Sequence, residues 1–344
     1  MAEVDGLTAE WLSEALGARV DAVRWEPVGT GQIGSVFRGH LAGHAVPPTL
    51  LAKLPSPDPA TRELLAGAYR GEVRFYADLA PTVAVRVPAC YYAVAAAEGG
   101  DFTLLLEDLA PRRQGDQVAG CGVEPLRDAV VNLAGLHGPR WCDPTLLDVE
   151  GLSLSGPDDA AMLADLYGPT VDLFVDGREH LLADEDVATL RDCVEVTAAW
   201  VLGRAERFGL VHGDYRLDNL MFPPAGHDVV AVDWQTLSLA LPARDLAYVV
   251  ATSLEPATRR AHERSLVASY HRALVDHGVT GYDGDTCWDD YRWSLLQGPL
   301  VAVFGCAYGA RTERGDRMFA AMVTRSCAAI RDLGVLDDPS LGLR

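Results

Sequence analysis

At 344 residues the chain is long enough for two lobes of ordinary domain size, each with a core of its own. Apolar residues make up 49% and charged residues 23%, the balance of a globular protein, and no apolar run approaches the roughly 18–20 residues of a membrane span. The formal net charge of -20 argues against nucleic acid or an anionic membrane as the main partner, because phosphate groups repel an acidic surface.

Residues 8–16 are predicted helical, with Thr8 as cap, Trp11, Leu12 and Leu16 on one apolar face and Gly17 as stop. Short β-type runs follow at 22–27, 36–41 and 50–54, separated by glycine and proline turns, which suggests an antiparallel sheet. Residues 62–79 have mostly helical apolar spacing, with Pro81 beyond the end. Strands at 89–95 and 102–106 complete a sheet with one helix packed on it. At residues 107–111 the texture changes from strand to loop, and we place a boundary there, giving lobes 1–107 and 108–344. Helices are predicted at 125–137, 158–174, 185–208, 256–277, 288–311 and 317–333, with a loop at 210–221 and a strand pair at 229–237 between them.

Seven scattered cysteines form no C-x-x-C pair and read as reduced core residues, neither zinc ligands nor a disulfide frame. The N-terminus lacks the basic, apolar, small-residue order of a secretion signal, so the expected location is cytoplasmic.

Of the 29 basic residues, 28 are arginine and one, Lys53, is lysine. It lies in the apolar run Leu50-Leu51-Ala52-Lys53-Leu54. A compact ammonium on a flexible stem can aim a single charge at a phosphate from inside a strand, where a guanidinium fork needs more room. Survival by drift is the plain alternative.

The most specific motif is His212-Gly213-Asp214-Tyr215-Arg216-Leu217-Asp218-Asn219, which fits H-x-D-x-x-x-x-N between apolar flanks. The chain has only two asparagines, Asn132 and Asn219, so one at this offset from an aspartate is improbable by accident. Phosphoryl transfer from ATP needs a carboxylate to orient the attacking hydroxyl and accept its proton, and an amide oxygen a few residues on to help hold Mg2+. Asp214 suits the first role and Asn219 the second; a buried polar turn with His212 as a core histidine is the alternative. Asp233 ends the β-branched run Val229-Val230-Ala231-Val232, where a magnesium bridging nucleotide phosphates would be held, although a strand-end turn former reads the same. Glu72 is the candidate ion-pair partner of Lys53, with Glu63 as its rival. The loop with Gly31, Gly34 and Ser35 ahead of these residues offers backbone amides to phosphates.

In this order the residues resemble the aminoglycoside phosphotransferase-like kinases, and among them the ecdysteroid kinase-like group. The resemblance runs through Gly31-Gln32-Ile33-Gly34-Ser35, Leu51-Ala52-Lys53, Glu72-Val73-Arg74-Phe75-Tyr76, Leu106-Glu107-Asp108-Leu109, His212 to Asn219, Asp233-Trp234-Gln235 and Arg244-Asp245-Leu246. It implies an α+β, protein-kinase-like bilobal fold, with an antiparallel N-terminal sheet plus a helix and a mostly helical C-terminal lobe. ATP would lie against Glu107, Asp108 and Leu109, with Asp214 as catalytic base, Asn219 and Asp233 on Mg2+, and His212 and Asp245 supporting the catalytic loop. Gly213 stands where protein kinases carry arginine, Trp234-Gln235 follow the metal aspartate, and no A-P-E segment follows, all pointing to small-molecule acceptors.

The expected activity is phosphorylation of a hydroxyl on a small polar molecule. An antibiotic of aminoglycoside, macrolide or nucleoside type is the first expectation. A metabolic sugar, aminosugar, choline or sterol kinase is the alternative, and a protein kinase or a silent nucleotide-binding module is the more distant rival. Asp283, Asp285, Asp289, Asp290 and Glu313 are acidic enough to hold an amine-bearing acceptor, although such clusters are commonly solvated faces.

Overall fold

The computed structural model describes residues 3–28, 34–308 and 311–343. They divide into two compact units. The first runs to Thr82 and adds Val87–Arg112 and Val232–Leu237; the second holds Val83–Arg86, Arg113–Ala231 and the residues from Ser238 on.

In the first unit, α1 (Ala9–Leu16) starts where the Thr8 hydroxyl accepts from Trp11 N at 3.2 Å and stops at Gly17, whose φ of 61° is left-handed. Strands β1 (Val20–Pro27), β2 (Gly34–Gly43) and β3 (Thr49–Pro55) follow. Next come helices α2 (Pro59–Leu64) and α3 (Ala66–Arg74), then β4 (Cys90–Ala95) and β5 (Phe102–Glu107). The five strands form one antiparallel sheet in the order β1-β2-β3-β5-β4.

Two-residue periodicity in β3 explains how Lys53 is presented. Leu50, Ala52 and Leu54 turn to one face and pack with Leu7, Leu12, Val20 and Leu105, so Lys53 must turn to the other. In register it lies between Val36 of β2 and Leu104 of β5. A one-residue slip would expose two buried leucines, each worth roughly 1.5–3 kcal/mol when buried, and drive the ammonium into the apolar layer.

The helix predicted over 62–79 is two helices and a wide turn. Asp58 caps α2 early, accepting from Thr61 N at 2.9 Å, and Leu65, at φ -95° and ψ 3°, breaks the chain before α3. Residues Phe75–Leu79 then widen into a π turn, which brings Phe75, Tyr76 and Leu79 all inside.

The second unit comprises β6 (Arg113–Gln114), α4 (Val123–His137), α5 (Pro157–Val175), α6 (Asp184–Leu202), β7 (Gly209–Val211), β8 (Leu220–Phe222), β9 (Val230–Ala231) and β10 (Ser238–Ala240). Helices α7 (Ala243–Ser253), α8 (Pro256–Asp276), α9 (Gly284–Trp293), α10 (Gln297–Tyr308) and α11 (Glu313–Asp332) complete it. Small ribbons β7/β10 and β6/β8/β9 hold the loop between Val211 and Leu220 at both ends. The helix predicted over 288–311 is interrupted at residues 294–296, because Pro299 suits the first turn of a new helix and not the interior of an old one. Helix α7 was not predicted at all. Every one of its residues except Arg244 is buried, the polar Asp245, Tyr248, Thr252 and Ser253 included, so its polar side is turned into the protein and does not read as a solvated face. No helix among the described residues is long and apolar enough to cross a membrane.

The cysteines are free, but only Cys193, Cys287 and Cys327 are core residues; Cys90 is exposed and Cys121, Cys142 and Cys306 are half-buried, which corrects their reading as a uniform core set.

Candidate active site

Lys53 Nζ lies 2.8 Å from the Glu72 carboxylate and 3.1 Å from Asp233 Oδ1, all three in the first unit. Glu63 is not the partner. Burial alone would lower the ammonium's pKa, but the Asp233 and Glu72 carboxylates outweigh it and hold the lysine protonated well above its ordinary value. Burial raises the pKa of Glu72, with the lysine opposing.

Glu72 is itself held from behind. Asp233 has a left-handed φ of 68°, a conformation aspartate tolerates better than most residues. Trp234 N then donates to Glu72 Oε1 at 3.3 Å and Gln235 Nε2 to Oε2 at 3.1 Å. The Trp234 ring stacks on Phe75 with centroids 3.6 Å apart and planes 10° from parallel. Gln235 is a supporting residue whose task the sequence alone does not announce.

Gly34 and Ser35 open β2, and a Cβ on Gly34 would fall 2.7 Å from Leu54 O, so the β2–β3 pair closes there only on glycine. Gly31 lies outside the described residues. Glu107 Oε2 accepts from Ala89 N at 3.1 Å, Leu109 is buried, and Asp108 is clamped by Arg38 through Nε at 2.7 Å and a terminal nitrogen at 3.2 Å. Asp108 thus ties the segment to β2.

In the second unit, Asp245 on buried α7 accepts from His212 N at 2.6 Å and Gly213 N at 3.0 Å, fixing the backbone ahead of Asp214. Gly213 has a φ of 80°, where an L side chain is strained, which accounts for glycine between the histidine and the aspartate. His212 is fully buried, and its Nδ1 accepts from Asp214 N at 3.3 Å.

The Asp214 carboxylate receives three side chains. Tyr248 OH donates to Oδ1 at 2.8 Å, Asn219 Nδ2 to Oδ2 at 2.8 Å, and Arg216 Nε lies 3.0 Å and 3.1 Å from the two oxygens. Burial and the Asp214 charge keep the Tyr248 hydroxyl protonated well above its usual range, so it remains a donor. Arg216 also donates to Asp218 at 3.0 Å, and burial is outweighed by Asp214 and Asp218 in holding its charge. Tyr248 and Arg216 were missed. Arg216 was legible inside the motif, two residues from Asp214, whereas Tyr248 sits on the helix that the sequence did not reveal.

The groups that could face a cation are sparse and oxygen-based. Asn219 spends its amide hydrogens on Asp214 O and Oδ2, at 2.9 Å and 2.8 Å, which leaves the amide oxygen for a cation. Asp233 keeps 40% of its side chain exposed beyond its contact with Lys53. No cluster of three or more His, Cys, Asp or Glu that could hold a metal exists among the described residues. Taken singly, the Asn219 amide and the Asp233 carboxylate are each an oxygen donor of the kind that suits a cation taking most of its ligands from phosphates and water, and neither makes a resident all-protein metal cage.

The acidic residues of α9 are engaged elsewhere. Asp283 caps the helix, accepting from Thr286 N at 2.8 Å, and Asp290 is buried against Arg204, Arg207 and Tyr282. Asp285 is exposed, and Asp289 lies 3.7 Å from Arg292. Glu313, at the start of α11, lines two concavities of the second unit.

The model of the ecdysteroid kinase-like family matches residues 182–279, which include Asp214, Asn219, Asp233 and Asp245. A 48-residue stretch is 52% identical to acyl-CoA dehydrogenase family member 10 of Mus musculus; it is 14% of this chain and only 4% of the mouse protein. Among solved structures, a Ralstonia eutropha JMP134 protein assigned to the aminoglycoside phosphotransferases aligns over 97% of this chain and 99% of its own, at 17% identity and a TM-score of 0.57. Choline kinase of Cryptosporidium parvum Iowa II aligns over 91% of each chain at 9% identity and a TM-score of 0.56. The ADP-bound aminoglycoside phosphotransferase APH(2″)-Ib covers 95% of this chain and 99% of its own at 15% identity and a TM-score of 0.54. The segment carrying the His212–Asn219 loop therefore matches the ecdysteroid kinase-like family, and the whole chain has the protein-kinase-like α+β fold of the small-molecule kinases.

Proposed function

We propose that this protein is an ATP-dependent phosphotransferase acting on a hydroxyl of a small molecule. The observation that carries the reading is the Asp214 carboxylate, fixed by Tyr248, Arg216 and Asn219 on a backbone that Asp245 holds from α7. Asp214 orients the acceptor hydroxyl and takes its proton, and Lys53, kept charged by Glu72 and Asp233, meets the negative charge of the triphosphate. Magnesium, when bound, spreads the charge of the transferring group, and the Asn219 amide oxygen and the Asp233 carboxylate are the groups offered to it. The segment Glu107 to Leu109, tied down through Asp108 and Arg38, is the proposed seat of the adenine.

For the acceptor, an antibiotic of aminoglycoside, macrolide or nucleoside type and a metabolic sugar, choline or sterol are both compatible with this machinery. A sugar or sterol acceptor gains over an aminoglycoside from α9, where Asp283 and Asp290 serve the fold and are not left for amines. The test is a coupled ADP-release assay over these acceptor classes, run with wild type and Asp214→Asn. Acceptor-dependent ADP release that falls by roughly 10²–10⁴-fold in the variant supports the reading. Undiminished release in the variant removes Asp214 from its role.

A further inference from the structure

Two concavities meet at the first turn of α11. One, of about 580 Å³, has Asp116, Glu313, Arg314 and Arg317 as its charged wall; the other, of about 390 Å³, shares Glu313 and Arg317 and adds Arg311 and Asp316. The larger one adjoins the catalytic loop through ionic contacts within the second unit. Arg314 donates to Asp218 Oδ2 at 3.1 Å, the same oxygen accepts from Arg216 at 3.0 Å, and Arg216 Nε lies 3.0 Å from Asp214 Oδ1.

Most of the charge in these walls is already committed. Asp116 Oδ1 accepts from Val118 N at 2.9 Å and Ala119 N at 3.2 Å. Arg314 straddles both oxygens of Asp218, at 3.1 Å and 3.2 Å. Asp316 accepts from Arg178 at 2.9 Å and Arg311 at 3.2 Å. Two groups remain, Glu313 and Arg317. They stand four residues apart on one helix, the spacing and order that normally favour an ion pair, yet neither has a side-chain partner among the described residues. A guanidinium left open beside the catalytic loop is a ready bidentate site for carboxylate or phosphate. A polycation finds the reverse: one open carboxylate and an open positive charge beside it.

We propose that the acceptor is a small hydroxylated acid, with its carboxylate or phosphate held by Arg317 and a hydroxyl or ammonium donor held by Glu313. This rests on the phosphotransferase reading and narrows its substrate class. In the step itself, the acceptor oxygen forms a bond to the γ-phosphorus, and the bond from that phosphorus to the bridging oxygen breaks. ADP leaves with the electron pair, and the hydroxyl proton passes to Asp214.

The experiment is ADP release by the full chain with Mg-ATP and three sets of acceptors. The sets are hydroxy acids (glycerate and 3-hydroxybutyrate for carboxylate, glycerol 3-phosphate for phosphate), amino alcohols without an acid (choline and ethanolamine), and kanamycin. Turnover should be confined to the first set, and the better of its two arms identifies the anion. Arg317→Gln should raise KM for that acid roughly ten- to hundredfold, the loss of one charge-assisted contact, with kcat much less affected, and Arg317→Lys should recover part of it. Arg317 is exposed, so the variants should fold, which melting curves check. Choline or kanamycin as the preferred acceptor, an unchanged KM in Arg317→Gln, or no ADP release with any acid overturns the proposal. ATP binding, followed by calorimetry, separates that failure from failure of the phosphotransferase reading, which loss of ATP binding would bring down as well.

Discussion

The Tyr248 hydroxyl donates to Asp214 Oδ1 at 2.8 Å from a side chain that is wholly buried in α7. The same helix, through Asp245, anchors the backbone of His212 and Gly213. One buried helix therefore sets both the position of the His212–Asn219 loop and the orientation of the Asp214 carboxylate. Tyr248→Phe keeps the ring packing and removes only the hydrogen bond, whose net worth is about 0.5–1.5 kcal/mol. We expect kcat to fall about three- to tenfold with KM for ATP near wild type. An unchanged kcat would show that Arg216 and Asn219 suffice.

Lys53→Arg tests why a single lysine persists among so many arginines. The ammonium fits between two carboxylates, at 2.8 Å and 3.1 Å, on a strand where its register neighbours are Val36 and Leu104, and a planar fork needs more room than a compact ammonium. Displacing its charge from the triphosphate should lower kcat/KM by about 10²-fold, while the melting temperature stays within a few degrees because the ion pair to Glu72 can persist. Wild-type turnover in Lys53→Arg would make the lone lysine an accident of composition.

Gln235 and Glu72 allow a graded test of the same assembly. Gln235→Ala removes a 3.1 Å donor from a buried carboxylate that Lys53 also needs, so turnover should fall about three- to tenfold. Gln235→Glu, which sets a second acid against Glu72, should fall further. Equal activity in the two variants would argue that Trp234 N and Lys53 alone position Glu72.

The candidate site residues were more legible in the sequence than the side chains that hold them. Lys53, Asp214 and Asn219 stand out because their types are rare here or their spacing is fixed by a local loop, and the alternating Leu50, Ala52 and Leu54 announce a half-buried strand. Tyr248 gives no such signal, since α7 is buried on nearly every side and its polar residues serve contacts inside the protein that no local pattern announces. Leu65 looks like one more apolar position in a continuous helix, and only the cap at Asp58 shifts the first helix so that it ends there. Asp283 and Asp290 carry the same letter, but one caps α9 from outside and the other is buried among arginines, a difference set by tertiary contacts alone.

The ionic chain behind the loop predicts an acid limit. Burial would raise the Asp218 pKa, but Arg314, the Gln117 N–H and Arg216 outweigh it and hold the carboxyl below its ordinary value. A depressed folded-state pKa means that the stabilisation is fully present above the unfolded value of about 3.9 and is lost as pH falls through the lower folded value. Melting temperatures of wild type and Asp218→Asn should therefore differ at neutral pH and converge below about pH 4. A gap that persists at lower pH would mean that asparagine disturbs packing and that the charge is not the cause.

Asp290 distinguishes an acid that serves the fold from one that serves a ligand. Its carboxylate is fully buried and receives Arg204, Arg207 and the Tyr282 hydroxyl, the last at 3.0 Å. Truncation to alanine would leave two guanidinium groups facing a low-dielectric gap, which typically costs about 3–5 kcal/mol. Asp285, exposed in the first turn of the same helix, has no such neighbours in the described contacts and should cost less than about 0.5 kcal/mol when replaced by alanine. Denaturation curves of the two variants decide the matter. If Asp290→Ala unfolds like wild type but loses turnover on an amine-bearing acceptor, Asp290 serves the acceptor and not the fold, and the argument that the α9 acids are not left for amines fails.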